Sequence, residues 1–247
     1  MYPTILKIGF LTIHSWGVML STAIISGTYF TYYISKKKNP LYTPYIFDGI
    51  IYVIIASIIG CRLFYIIEHI DYYSKHPLDI IMLQNGGLNI YGGLITSIIT
   101  IYIYSKIKKI NIPEILDICT APFFLGIAIG RIGCFLNGCC YGIQTKLPFG
   151  IKFPDTLYPA HPTQIYDLIM NLIFMAYIII SYDTKRYHGH VLLRGVLMMS
   201  TFRFLIEIIR SNPRYFLGLS QAQYISITAF IISSFILFKN RNTAKSK

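Results

Sequence analysis

Charged side chains are scarce in this sequence, and acidic ones are the scarcest. Its 247 residues are 13% charged, with 22 Lys and Arg against 10 Asp and Glu and a formal net charge of +12. Soluble domains carry about a quarter charged residues, so an ordinary cytoplasmic enzyme is excluded. Because 54% of the residues are hydrophobic, a disordered chain is excluded too. A hydrophobic chain with a basic excess is typical of a protein in or on a membrane. No soluble basic face remains for nucleic acid, so we expect no nucleic-acid partner.

Signals for a cleavable leader, an internal repeat or a zinc site are also missing. The first 15 residues lack a charged start, a long apolar run and a small-residue cleavage site, so we expect no removable signal peptide. No transporter-type repeat is visible. Cys134, Cys139 and Cys140 form a C-x₄-C-C pattern, which is a weak match to zinc ligands. A disulfide from Cys134 to either neighbour and a covalent cysteine relay are the alternatives. We expect neither a metal nor a cofactor.

Long hydrophobic stretches are abundant. A helix that crosses a bilayer needs about 20 mostly apolar residues, and seven stretches reach or approach that length. We therefore predict an all-α polytopic membrane protein of about seven transmembrane helices, with residues 1–247 as a single integral membrane domain. The predicted spans are 16–35, 48–67, 91–107, 115–136, 164–182, 191–209 and 223–238.

The positions of Lys and Arg predict the orientation of these spans. Most of the basic residues outside the spans fall in alternate connections and in the tail 239–247. Cytoplasmic loops are enriched in Lys and Arg, so we expect a cytoplasmic basic tail at 239–247 and an N-terminus outside. Residues 137–163 then form an extracytoplasmic loop. Its glycine, proline and aromatic residues predict an ordered cap over the membrane face.

Three arginines, Arg62, Arg131 and Arg203, lie deep in the predicted spans. A charge at the bilayer centre costs about 3 kcal/mol even on lenient scales, so each side chain must face a partner or a cavity. Glu207 lies one helical turn after Arg203, so a structural ion pair between the two side chains is one interpretation. Three arginines against one buried carboxylate still leave a positive surplus, which predicts a bound anion. A phospholipid headgroup is the candidate, because a guanidinium group binds phosphate through paired hydrogen bonds.

Two arginines near span ends have a simpler interpretation. Arg194 and Arg210 can extend to the lipid headgroups. Arg210 also continues the spacing i, i+4, i+7 from Arg203 and Glu207, which would put the three on one helical face. The two interpretations of Arg210 remain open.

A polar stripe enters the fifth predicted span. It consists of His161, Gln164, Asp167 and Asn171, at steps of three, three and four residues. Interhelical hydrogen bonds would explain such a stripe. Together with the buried arginines, it also predicts a polar, cationic cavity between helices.

Seven ordered segments resemble those of the prolipoprotein diacylglyceryl transferase family over essentially the whole chain. The resemblance implies an enzyme that transfers the diacylglyceryl group of phosphatidylglycerol to the lipobox cysteine thiol of a prolipoprotein, releasing glycerol phosphate. It implies a multi-pass protein of the bacterial inner or plasma membrane, whose partners are phosphatidylglycerol, the prolipoprotein signal peptide with its lipobox, and the lipid bilayer. The segments are HSWG at 14–17, GCRLFY at 60–65, GGLNIYGGL at 86–94, GRIGCFLNGCCYG at 130–142, HPTQIYD at 161–167, FRFLIEIIR at 202–210 and SQAQYIS at 220–226.

The resemblance also implies roles for individual residues. Arg131 matches the family's headgroup ligand, and Arg203 matches an arginine implicated in the reaction. Asp167 stands where the family usually has Glu, and Tyr91 where it usually has His. The catalytic candidates are Arg203, Tyr91, Glu207 and Asp167. The substrate-binding candidates are Arg131, Arg62, Asn137, His161 and Gln164.

The group that accepts the thiol proton stays open at this stage. A phenol such as Tyr91 is a better hydrogen-bond donor than base near neutral pH, which leaves Asp167, Glu207 and His161 as candidates. Two alternative functions keep the same fold. One is an enzyme with the same lipid donor and a different acceptor, and the other is a non-enzymatic lipid-binding or transport protein.

Overall fold

The computed structural model describes residues 1–8, 11–82 and 86–243. Lys245 and Lys247 of the predicted basic tail lie outside the described residues. The chain divides into two compact units, one comprising Met1–Thr31 and Leu116–Lys247 and the other Tyr32–Ile115. Helices dominate both units.

The described residues form one hairpin and eight α-helices. Each of the seven predicted spans falls on one of the long helices, with a short 3₁₀ extension after α6 (Tyr182–Thr184) and after α7 (Glu207–Ile209). The elements are β1 (Thr4–Ile8), β2 (Leu11–His14), α1 (Ser15–Lys38), α2 (Thr43–Glu68), α3 (Ile70–Tyr73), α4 (Ile90–Lys108), α5 (Ile112–Asn137), α6 (Thr163–Ser181), α7 (His190–Ile206) and α8 (Gln221–Thr243).

Four helical stretches among the described residues have the length and composition needed to cross a membrane. This confirms the prediction of a mostly helical membrane protein. The stretches are Pro40–Glu68, Ile112–Asn137, Thr163–Thr184 and Gln221–Asn240.

The N-terminal hairpin is a feature that hydropathy did not predict. Strands β1 and β2 pair in antiparallel register, with Thr4 opposite His14. The backbone N–H of Ser15 donates to the Pro3 carbonyl at 3.0 Å, and that of Tyr2 donates to the Leu136 carbonyl at 3.0 Å. The hairpin is therefore attached to the C-terminal end of α5.

Within the unit Tyr32–Ile115, α2 and α4 pack closely because small residues face each other. A Cβ atom at Gly60 would lie 2.7 Å from the Gly92 carbonyl oxygen and closer still to Thr96. The Thr96 hydroxyl donates to the Ala56 carbonyl at 2.9 Å. Such contacts are typical of membrane helices, which approach through small residues and interhelical hydrogen bonds. Helix packing thus explains this glycine without a ligand.

In the other unit, aromatic rings connect α5, α6 and α7. Phe124 meets Phe174 edge to face at 5.5 Å between ring centroids, and Phe174 meets Phe202 at 5.9 Å. Edge-to-face pairs of this kind stabilise beyond their buried area by about 1 kcal/mol. They hold together the three helices that carry the charged residues described below.

Helix α7 begins with a cap that comes from α5. Its N-cap residue is Gly189, which has no side chain to accept the first N–H groups. The fully buried carboxylate of Asp117 accepts the N–H of Gly189 at 2.9 Å and that of Leu192 at 2.8 Å. The ammonium group of Lys185 lies 4.0 Å from the same carboxylate. A negative group at a helix N-terminus also interacts favourably with the helix dipole.

The connection between α5 and α6 returns to the end of α7. Ile151 and Ala160 exchange backbone hydrogen bonds at 3.0 and 2.9 Å, and the buried ring of Phe153 stacks on Tyr141 at 4.8 Å. Gly142 forms an antiparallel bridge with Arg210. This bridge places the start of the connection beside the charged residues at the end of α7.

Candidate functional site

Asp167 joins two arginines from different parts of the unit Met1–Thr31 and Leu116–Lys247. It lies on α6 and is 3% exposed. Its Oδ2 atom is 2.8 Å from Nε of Arg131 on α5 and 3.4 Å from Nη1 of Arg210. A carboxylate shared by two guanidinium groups fixes the position of both.

Arg203 and Glu207 form a second ion pair. Nη2 of Arg203 is 3.1 Å from Oε2 of Glu207, whose side chain is completely buried. Asn212 donates a hydrogen bond to Oε1 of the same carboxylate. Nη1 of Arg203 is also buried, and it has no hydrogen-bond partner among the described residues. The i, i+4 pairing predicted from spacing is thus present, with one guanidinium nitrogen still available.

The position of Arg210 differs from both interpretations based on sequence. Helix α7 ends at Ile206, and Arg210 has an extended backbone with φ −89° and ψ 148°. The helical spacing from Arg203 therefore stops before Arg210. Arg210 as a whole is 7% exposed, and its side chain contacts Asp167 and, at 3.5 Å, the carbonyl of Cys140. The expectation that Arg210 extends to the headgroups was wrong, because a buried carboxylate pairs with it.

The two ion pairs are close enough to interact electrostatically. Arg131, Arg203 and Arg210 contribute three positive charges, and Asp167 and Glu207 contribute two negative ones. The sequence predicted Arg62 as the third arginine and Glu207 as the one carboxylate, whereas the structure has Arg210 as the third arginine and Asp167 as a second carboxylate. A surplus of one positive charge remains in a largely buried setting, and it suits a bound anion.

The polar stripe is buried at Gln164, Asp167 and Asn171 on α6, whereas His161 precedes the helix and is half-buried. Nε2 of Gln164 donates to the carbonyl of Cys139 at 2.6 Å, and Nδ2 of Asn171 donates to the carbonyl of Asp167 at 2.7 Å. Nδ1 of His161 lies 3.1 Å from the hydroxyl of Tyr166. Oε1 of Gln164 has no hydrogen-bond partner among the described residues. Gln164 thus links α6 to the cysteine-containing turn.

Three cysteines converge where α5 ends. Cys134 lies on the last turns of α5, Asn137 is its exposed final residue, and Cys139 and Cys140 follow. Gly138 and Cys140 have positive φ values of 74° and 65°, so the chain turns sharply. All three Sγ atoms lie within 4.8 Å of one another.

The Cys140 thiol is the most acidic of this group. Its pKa is lowered to about 5, first by a hydrogen bond with Cys134, then by one with Cys139 and by the positive charges of Arg210 and Arg131, although partial burial opposes the shift.

Arg62 and Tyr91 belong to the unit Tyr32–Ile115. Nε of Arg62 donates to the carbonyl of Ile80 at 2.9 Å, and Nη1 donates to those of Gly86 and Gly87 at 2.6 and 3.0 Å. Nη2 donates to two further carbonyls in the same connection. Tyr91 is exposed in the first turn of α4. Their predicted roles in binding and catalysis stay predictions.

Sequence reasoning missed several residues around Glu207. Nη2 of Arg214 donates to the Glu207 carbonyl at 2.9 Å, and Nη1 donates to Oε1 of Gln223 at 3.0 Å. The sequence pattern assigned no site role to Arg214 or to Asn212. Both follow the end of α7, where helical spacing carries no information. Their position directly after the segment that contains Arg203 and Glu207 was the sequence signal that could have pointed to a role at the site.

Comparison with known proteins identifies the family. The prolipoprotein diacylglyceryl transferase family model matches residues 3–239. The chain is 33% identical over 223 residues to the phosphatidylglycerol–prolipoprotein diacylglyceryl transferase of Finegoldia magna, covering 90% of this chain and 88% of that protein. It is 33% identical over 243 residues to the protein of the same name from Clostridium tetani, with 96% of each covered. A Clostridium botulinum relative of that name is 30% identical over 246 residues, again with 96% of each covered. With a match over nearly its whole length, this chain belongs to the prolipoprotein diacylglyceryl transferase family.

Proposed function

We propose that this protein transfers the diacylglyceryl group of phosphatidylglycerol to the lipobox cysteine of prolipoproteins, the first step of bacterial lipoprotein maturation. Family membership supports the reaction class. The observation that carries the proposal is the buried charge cluster, in which Arg131, Arg203 and Arg210 outnumber Asp167 and Glu207. The headgroup phosphate of the lipid donor supplies the missing negative charge.

Arg203 is the principal phosphate ligand in this proposal. Its Nη1 is a buried donor without a hydrogen-bond partner among the described residues, and leaving such a donor unpaired costs about 1–3 kcal/mol. A phosphate oxygen removes this cost and makes a charge-assisted hydrogen bond. Arg131, with its side chain 20% exposed, supplies a second guanidinium group to the same headgroup.

The reaction exchanges a carbon–oxygen bond for a carbon–sulfur bond. The lipobox thiol loses its proton, and the thiolate attacks the glyceryl carbon that carries the phosphate. The thioether forms as the C–O bond breaks, and glycerol phosphate leaves as a monoester with one more negative charge than the diester. Arg203 and Arg131 stabilise this developing charge, and each well-placed donor contributes about 3 kcal/mol by analogy with oxyanion holes.

The carboxylates position the arginines. Asp167 fixes Arg131 through a 2.8 Å contact, and Glu207 fixes Arg203 through a 3.1 Å contact. The thiol proton leaves to a carboxylate of this cluster, to His161 or to water. In the same proposal Asn137, at the end of α5, and Gln164, in the first turn of α6, border the headgroup. The catalytic role of Tyr91 and the binding role of Arg62 remain predictions from the family resemblance.

The membrane arrangement is part of the proposal. The seven long helices α1, α2, α4, α5, α6, α7 and α8 cross the bacterial inner or plasma membrane, with the N-terminus outside and the basic tail in the cytoplasm. Residues 137–163 form an extracytoplasmic cap. The lipobox at the C-terminal end of a prolipoprotein signal peptide reaches the charge cluster from that face.

A reconstituted transfer assay tests this function. The purified full chain is placed in vesicles containing phosphatidylglycerol and is mixed with a synthetic lipobox peptide. The expected result is a peptide whose mass increases by one diacylglyceryl group, with equimolar release of glycerol phosphate. Consumption of phosphatidylglycerol without peptide modification would instead support a different acceptor.

Two arginines of α7 provide a matched pair of variants. Arg203→Lys keeps the charge but loses the forked geometry, and we expect transfer to fall about 100-fold or more. Arg194→Lys is the control, because Arg194 lies near the start of α7, where it donates hydrogen bonds to Thr184 and Ser181. Equal activity of the two variants would contradict the proposed phosphate contact.

A further inference from the structure

The three converging thiols at the end of α5 have no role in the proposed transfer reaction. Cys139 and Cys140 have Sγ atoms 3.5 Å apart, and Cys134 completes a group whose sulfurs all lie within 4.8 Å of one another. All three are free cysteines, and Cys140 is exposed. Three sulfur atoms facing one point form a potential ligand set.

The local backbone explains why two adjacent cysteines can act together. In extended chain, neighbouring side chains point to opposite sides. Cys140 adopts a left-handed conformation with φ 65°, which turns the chain and brings its thiol next to that of Cys139. Few non-glycine residues adopt this conformation, and strained positions of this kind concentrate at functional sites.

Hydrogen bonds from α6 fix this turn in place. The carbonyl of Cys139 accepts from Gln164 at 2.6 Å, and the carbonyl of Cys140 accepts from the Thr163 hydroxyl at 2.7 Å. Both donor residues are 1% exposed or less. The N–H of Cys139 donates to the Cys134 carbonyl at 3.1 Å. The sulfurs are therefore held near one another before any ligand arrives.

The sulfur spacing suits a metal–thiolate site. Metal–sulfur bonds of about 2.3 Å in trigonal or tetrahedral geometry place the sulfurs about 3.8–4.0 Å apart. The observed spacings, from 3.5 Å to at most 4.8 Å, differ from this by less than 1 Å. In the described part of the chain no fourth His, Cys, Asp or Glu joins the group, which favours a three-coordinate ion.

The surrounding charges suit the anion that such a complex forms. Three thiolates with a monovalent or divalent cation carry a net charge of −2 or −1. Arg131 and Arg210 are close enough to act electrostatically on this group, and Arg210 contacts the Cys140 carbonyl at 3.5 Å. These guanidinium groups lower the electrostatic cost of the negative charge on the complex.

We propose that Cys134, Cys139 and Cys140 form a three-thiolate site for a thiophilic d¹⁰ metal ion, with Cu(I) preferred over Zn(II). Thiolate ligands select both ions. Cu(I) is stable with three ligands, whereas Zn(II) would need an added water to reach four. Binding displaces the thiol protons into solvent.

Metal binding by the intact protein tests the site. The full chain is purified anaerobically in detergent and dialysed against buffered Cu(I) or Zn(II), and bound metal is measured by mass spectrometry. We expect about one Cu(I) per chain, with affinity falling about 100-fold in Cys140→Ser. Cys119→Ser is the matched control, because Cys119 lies on α5 outside the thiol group, and it should bind as the parent does.

Two results would overturn the proposal. One is equal binding by Cys140→Ser and Cys119→Ser, or no binding by the parent chain. The other is recovery of two of the three thiols as a disulfide in protein that was never exposed to oxidant. X-ray absorption of the Cu(I)-loaded parent needs no variant. Three sulfur ligands around the copper ion would support the site, and a set of nitrogen and oxygen ligands would contradict it.

Discussion

Replacing Asp167 by Asn is the most direct perturbation of the charge cluster. The amide keeps the shape of the side chain and one hydrogen-bond acceptor, but it removes the negative charge shared by Arg131 and Arg210. Three guanidinium groups would then face the single carboxylate of Glu207. We expect the variant to be less stable and to transfer far more slowly, because Arg131 is no longer held in place.

The magnitude follows from the burial of the groups. The side chains of Asp167 and Arg210 are 5% and 8% exposed, and that of Arg131 is 20% exposed. Removing one partner of a buried ion pair costs about 3–5 kcal/mol, and the retained amide oxygen places Asn near the lower limit. For a chain of this size 1 kcal/mol shifts the midpoint by about 2–4 °C, so the expected fall is about 6–12 °C. Loss of one well-placed charge donor lowers kcat by about 100-fold.

The assay measures thermal unfolding in detergent and transfer to a lipobox peptide in the same preparations. Asp167→Glu restores the charge and should recover part of both properties. Asp155→Asn removes a carboxylate from an exposed position of the same unit, and it should change neither. Normal unfolding and normal transfer in Asp167→Asn would refute the idea that this carboxylate positions the arginines.

Three further changes test other parts of the structure. Gly60→Ala forces α2 and α4 apart and should destabilise by roughly 1–3 kcal/mol. Gly17→Ala should not lower the unfolding midpoint, because the added Cβ would meet no other part of the described chain within 4 Å beyond its own helix backbone and chain neighbours. Arg62→Lys loses most of the hydrogen bonds to the connection before α4, so limited proteolysis there should accelerate, and an unchanged cleavage rate would argue against a structural role. Asn212→Ala removes a hydrogen bond to Glu207 and should lower kcat about 10-fold with little change in KM; an unchanged kcat would show that this contact does not orient the carboxylate.

Hydropathy and helical spacing predicted the features that depend on local sequence. The seven apolar stretches all fall on long helices, because a long and mostly apolar run favours a single regular element. Pro122 lies inside α5 without ending it. The Arg203–Glu207 pair is present because i, i+4 neighbours meet on any helix.

The features that the sequence pattern did not predict depend on where helices end and on how the chain turns after them. Arg210 would share a face with Arg203 only if α7 continued, but the helix stops at Ile206 and the chain pairs with Gly142 instead. The convergence of the cysteines depends on a left-handed residue at Cys140, and no spacing rule anticipates one. Asp167 was recognised as polar, but its two partners come from segments 36 and 43 residues away.

The carboxylate of Asp117 has a consequence for the geometry of the two principal arginines. It ties Gly189, where α7 starts, to a point on α5. Arg131 follows Asp117 by 14 residues, and Arg203 follows Gly189 by 14 residues. At about 1.5 Å per residue, each guanidinium-bearing residue lies about 21 Å along its own helix from this shared starting point. Asp117 therefore fixes how far along each helix Arg131 and Arg203 lie from a common point. In the proposed reaction, this equal spacing is what would let one headgroup phosphate contact both arginines.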